Sequence, residues 1–71
     1  MDYEYLKKFA EHLKKIRKDK HIKQDDLLDV SGISRSTIAM VETGKTDITL
    51  TKLKIIADVL GVNLKELLDF E

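Results

Sequence analysis

Two short helical patterns between residues 24 and 43 are separated only by Ser31-Gly32-Ile33-Ser34, a turn too tight for the helices to run parallel. The first pattern runs from Gln24 to Val30 or Ser31 and carries Leu27, Leu28 and Val30 as its apolar residues. The second runs from Arg35 to Thr43. At about 100° per residue its two large apolar residues, Ile38 and Val41, fall about 60° apart and define a narrow buried stripe. Ser36 and Thr43 nearly coincide on the opposite side, flanked by Met40 and Ala39, with Arg35 at the edge. A structural helix of this length more often carries Lys and Glu on its outer face. The second helix therefore leaves most of its surface, small or flexible in character, for something outside the chain.

The flanking segments read as helices too. Leu6, Phe9, Ala10, Leu13 and Ile16 recur at steps of three and four, placing a first amphipathic helix over roughly residues 3–20. Asp2 suits its N-cap, and the Lys-rich end complements the negative end of the helix dipole. His21 falls where a helix often ends in a left-handed residue, a geometry that His tolerates better than most side chains. Ser34 caps the helix at Arg35, and Gly44 closes it. Thr49 caps a fourth helix carrying Leu50, Leu53, Ile56, Ala57 and Leu60, ended by Gly61. Asn63 and Glu66 form a variant capping box for a short fifth helix with Leu64, Leu67, Leu68 and Phe70 as its apolar residues. With no Pro, and three Gly that each end an apolar pattern, the expected fold class is all-α, five helices in one compact domain over residues 1–71.

Composition narrows the chemistry. A chain of 71 residues encloses one core and buries only about 60% of its unfolded surface, leaving no room for a separate catalytic domain. The absence of Cys excludes a disulfide framework and a thiolate zinc site, and His12 and His21 are too far apart to suggest a metal cage. No nucleophile–base or metal constellation stands out, so no catalytic, cofactor or metal site is expected. No apolar run approaches the roughly 20 residues of a membrane span, and the start Met-Asp-Tyr-Glu is unlike a signal peptide, which points to a cytoplasmic protein. Thirteen basic residues balance thirteen acidic ones, but unevenly. Between residues 7 and 23, Lys7, Lys8, Lys14, Lys15, Arg17, Lys18, Lys20 and Lys23 face only Glu11 and Asp19. After residue 46 the carboxylates lead. Such polarity suits a protein with one side toward nucleic acid and another toward a partner.

A tight turn followed by an outward-facing helix is the way a helix-turn-helix module presents a reading helix to the DNA major groove. Leu13 through Leu68 closely resembles the Cro/C1-type (Xre-like) helix-turn-helix regulators. The resemblance rests on Gln24, Gly32-Ile33-Ser34-Arg35, Ile38, Val41-Glu42 followed by Gly44-Lys45, and Leu60-Gly61-Val62. It implies a lambda-repressor-like DNA-binding domain, with its two motif helices at about 24–31 and 35–43. It further implies that Arg35, Ser36, Ala39 and Met40 reach base edges. Arg35 would pair bidentately with a guanine, worth about 1–3 kcal/mol of discrimination, and Met40 would touch a thymine methyl. By the same resemblance Gln24, Ser34, Thr37, Thr43, Gly44 and Lys45 are expected at the phosphate backbone. Arg17 and Glu42 correspond to a partly buried ion pair joining the first helix to the third. Three departures stand out. Lys23 replaces the usual Ser or Thr cap, a loss of about 1 kcal/mol at that helix start. Leu28 replaces Ala in the helix–helix contact, and Met40 replaces a commonly polar or basic residue.

One such helix reads only a few base pairs, so regulators this small usually act as dimers whose half-sites lie about 34 Å apart. Ile55, Val59, Leu64, Leu68 and Phe70 exceed what a small core absorbs and are the expected homodimer surface; the alternative is that half of them simply close the core. Tyr3 and Tyr5 could belong to either. The expected function is a sequence-specific transcriptional regulator, a repressor or autoregulator, reading a palindromic operator in double-stranded DNA without cofactor or small-molecule ligand. The alternative is an antitoxin-type interaction module that uses the same fold to bind a protein.

Overall fold

The computed structural model describes residues 1–70, and for residues 28–31 the backbone alone. The helices are α1 (Tyr3–Asp19), α2 (Gln24–Ser31), α3 (Arg35–Glu42), α4 (Leu50–Leu60) and α5 (Leu64–Leu67), and no strand occurs among the described residues. Helix α1 packs on α3 and α5, α2 on α3 and α4, and α4 on α5. The fully buried Leu13, Leu27, Ile38, Ile56 and Leu67 come one from each helix, so every element is tied to the same centre. Burying side chains of this size stabilises by about 1.5–3 kcal/mol each. Leu28 and Val30, expected on the apolar face of α2, lie outside the described side chains.

Side chains cap the helices where the sequence supplies them. Asp2 Oδ1 accepts from the Tyr5 amide (3.0 Å), Thr49 Oγ1 from Lys52 (3.2 Å) and Asn63 Oδ1 from Glu66 (2.7 Å). At α2 the missing Ser/Thr cap is partly replaced. Asp26 Oδ2, three residues into the helix, accepts from the Lys23 amide at 2.9 Å, which is the acidic half of a capping box. Helices α1, α3 and α4 end alike. A left-handed residue (His21, Gly44 or Gly61) and its successor donate back to the last turn.

Three expectations need correction. Helix α3 stops at Glu42, with Thr43 as its C-cap. Leu50 is 69% exposed because it opens α4 beyond the edge of the core, although it shares a face with the buried Leu53 and Ala57. Helix α5 is a single turn, so Leu68 and Phe70 lie past its last helical residue.

Candidate nucleic-acid interface

Helix α3 is held by its inner face. Ile38 and Val41 are buried in the core, and Glu42, at the same end, accepts both arms of the Arg17 fork: Nε to Oε2 at 2.7 Å and Nη2 to Oε1 at 2.9 Å. Arg17 also donates through Nη1 to the Ile22 carbonyl (3.0 Å), and the Gln24 side-chain amide donates to Glu42 Oε1 (2.9 Å). One carboxylate thus ties α1 and the first residue of α2 to the last turn of α3. The pair is nearly solvent-free, with Arg17 and Glu42 side chains 10% and 2% exposed. Such a pair holds geometry only when every donor is matched. Among the described residues no buried side-chain nitrogen or oxygen lacks a partner.

The opposite side of α3 faces solvent. Arg35 and Ser36 are exposed, Ala39 half-buried and Met40 45% exposed. Arg35 is not loose: its Nη2 lies 2.7 Å from Asp25 Oδ1 in α2. Ser34 caps the helix with its Oγ, accepting from the Thr37 amide at 3.3 Å. Its own proton goes to Thr37 Oγ1 at 2.8 Å, and Ser36 Oγ lies 3.3 Å away. With the Ser34 proton committed, Ser36 is the donor of that last contact. Thr37, at the end of the relay, keeps its proton for an outside acceptor.

The residues expected at phosphates therefore divide. Gln24 spends one amide hydrogen on Glu42 and retains the other, beside the first turn of α2 where the helix dipole is positive. Thr37 retains its hydroxyl donor, and Lys45 is exposed with no carboxylate partner among the described residues. Ser34 has spent its hydroxyl proton on Thr37, and Thr43 Oγ1 donates to the Ala39 and Met40 carbonyls (3.0 and 3.2 Å). A phosphate offers only acceptors, so neither hydroxyl has a proton left for it in this arrangement. Gly44 has no free donor either. Its amide bonds the Val41 carbonyl at 3.2 Å, and it is buried so closely on α1 that a Cβ there would lie 2.8 Å from Lys7 Cα. Gly44 is thus packed against the backbone of α1.

On the far elements, Val59, Leu64 and Phe70 are partly buried and pack on the core, Ile55 is half-buried and Leu68 is exposed. Phe70 packs on α1, its ring centroid 5.1 Å from Tyr5 and 5.9 Å from both Phe9 and His12. Tyr5 joins that aromatic cluster although it is 44% exposed, and Tyr3 is more exposed still. His12 Nε2 anchors α5 from the same side through the Glu66 carbonyl, at 3.0 Å. No group of carboxylates and histidines that would hold a metal ion occurs among the described residues, and no described helix is long and apolar enough to cross a membrane.

The helix-turn-helix family HTH_3 matches residues 13–67. The fold is similar to that of the restriction-modification controller protein C.AhdI from Aeromonas hydrophila, with 32% identity, a TM-score of 0.83, and 87% of this chain aligned to 94% of that one. It is also similar to an HTH_3 family transcriptional regulator from Vibrio cholerae, with 24% identity and a TM-score of 0.85. There 94% of this chain aligns to 38% of the other, which is therefore much the longer. No curated protein matches the sequence closely.

Proposed function

The chain belongs to the HTH_3 family of Cro/C1-type helix-turn-helix proteins, and from that premise we propose that it is a sequence-specific DNA-binding transcriptional regulator acting by occupancy of an operator. The observation that carries this reading is the two-sided character of α3. Ile38, Val41 and Glu42 fix it from within, while Arg35, Ser36, Ala39 and Met40 are left to solvent or half-buried. In a major groove, Arg35 reads guanine O6 and N7, Ser36 a polar base edge, and Ala39 and Met40 thymine methyls. Gln24, Thr37 and Lys45 set the register by holding phosphates.

Two copies related by a two-fold axis read the half-sites of a palindromic operator, joined through Ile55, Val59, Leu64 and Leu68. Similarity to a restriction-modification controller supports a role in controlling gene expression, as a repressor or autoregulator. Control then rests on protein concentration, since dimer formation and operator occupancy both rise with it.

A titration of duplexes recovered by selection from a random pool tests the proposal. The affinity is expected to fall steeply with salt, with a log–log slope of about −0.9 per phosphate neutralised. Lys45→Ala should weaken selected and random duplexes alike and reduce that slope by about one phosphate's worth. A pool that yields no preferred sequence would overturn the proposal.

A further inference from the structure

Asp25 stands opposite the reading helix without an evident task of its own. The acidic first turn of α2 contains two carboxylates, Asp25 and Asp26, and both would favour the positive end of the helix dipole. Only Asp26 is used locally, on the Lys23 amide at 2.9 Å. Asp25 reaches across the turn to the guanidinium of Arg35, 2.7 Å away. Both partners are largely open to water, with side chains 64% and 66% exposed, so the pair adds little to folding. Arg35, moreover, is the first residue of α3, where the dipole disfavours a cation. No other carboxylate meets it among the described residues.

Resting on the reading of α3 given above, we propose that Asp25 is a positioning residue that sets the sequence specificity of Arg35. A guanidinium carries five N–H donors, and one carboxylate oxygen at Nη2 leaves the others for a base edge. A long arginine with no tether turns to the nearest phosphate, which lies beside every base sequence. Tethered to Asp25, the guanidinium is kept from that general contact and held where a guanine edge can be paired. A second effect acts on all duplexes alike. The Asp25 carboxylate repels the phosphates of any duplex, which lowers affinity without regard to sequence and leaves the discrimination to Arg35. Asp25 thus lowers affinity for DNA in general and, through Arg35, widens the ratio between selected and random sequences.

The test compares wild type, Asp25→Asn, Asp25→Glu, Arg35→Ala and the Asp25→Asn/Arg35→Ala double variant. Each is titrated against one selected and one random duplex of equal length over a range of salt. For Asp25→Asn we expect tighter binding to the random duplex and a selected-to-random ratio reduced roughly threefold to tenfold, a fraction of what one bidentate base contact supplies. The salt slope on the random duplex should steepen by about 0.9, because the released arginine neutralises one more phosphate. Asp25→Glu should recover part of the ratio. The double variant should discriminate no worse than Arg35→Ala, since Asp25 acts through Arg35. Thermal unfolding of Asp25→Asn should stay near wild type, which separates positioning from scaffold damage. If Arg35→Ala abolishes the preference while Asp25→Asn keeps both ratio and slope, the role of Asp25 is refuted and the reading helix stands. If Arg35→Ala keeps the preference, the reading of α3 is itself overturned, and this inference with it.

Discussion

Glu42 takes part in three side-chain hydrogen bonds, as many as its partner Arg17. It accepts from Nε and Nη2 of Arg17 and from the amide of Gln24 while 2% exposed, so its charge is matched only when all three donors are in place. Truncating it strands a buried guanidinium. Glu42→Ala is expected to lower stability by about 3–5 kcal/mol, measured by denaturant unfolding. A loss below 1 kcal/mol would mean that water already reaches the pair. Gly44 offers a sharper residue-scale comparison with Gly32. Both hold left-handed backbone, at φ of 71° and 72°, but only at Gly44 would a Cβ meet a neighbour, Lys7 Cα at 2.8 Å. Gly32→Ala should lose about 1 kcal/mol through the backbone alone. Gly44→Ala should lose distinctly more, because the clash is with main chain, which cannot swing aside. Equal losses in paired melts would refute the packing role given to Gly44.

Among the elements, the turn that closes α1 is the one least suited to its residue. His21 sits at φ 58°, where α3 and α4 use glycine, yet the same pair of backbone bonds forms, His21 to Lys18 and Ile22 to Arg17, both at 3.0 Å. His21→Gly should relieve part of the strain and stabilise by about 0.5–1 kcal/mol, a rise of several degrees in Tm for a domain of this size. An unchanged or lower Tm would show that the His21 side chain contributes more than its backbone loses. The helix starts were legible because their causes are local, while the ends of α3 and α5 were not. Asp2, Ser34, Thr49 and Asn63 are caps, and the apolar steps of α1 and α4 have helical period. The carboxylate that helps start α2 was legible in principle as well, since Asp26 stands three residues after Lys23, the capping-box spacing. What escaped was long-range or a matter of proton direction. Nothing in the spacing of Asp25 and Arg35 says they meet across a turn. No pattern tells that the Thr43 hydroxyl turns back to its own helix, or that Gly44 is pressed on Lys7. Phe70 was ambiguous because an aromatic there suits a core lid and an interface equally, and its packing on the rings of Tyr5 and Phe9 is a long-range contact.

For the molecule as a whole, the fold spends its apolar residues unevenly. Among the described residues each helix sends at least one fully buried side chain to a common centre, while Ile55 is half-buried and Leu68 exposed. If these meet their equivalents in a second copy, Ile55→Lys should shift the sedimentation profile toward monomer. It should also weaken binding to a duplex with two half-sites at least tenfold more than to a duplex with one, since only the former gains from linked binding. Equal weakening on both duplexes would speak against this surface. The central claim is geometric: the outward side of α3 enters the DNA. The most direct measurement is the NMR shift of methyl groups on adding a selected duplex. The Met40 methyl, on the 45% exposed side of α3, should move strongly or broaden, while that of Ile56, buried at the centre, should stay nearly still. A Met40 resonance unmoved at saturating duplex, with the changes falling on α4 and α5 instead, would contradict the account.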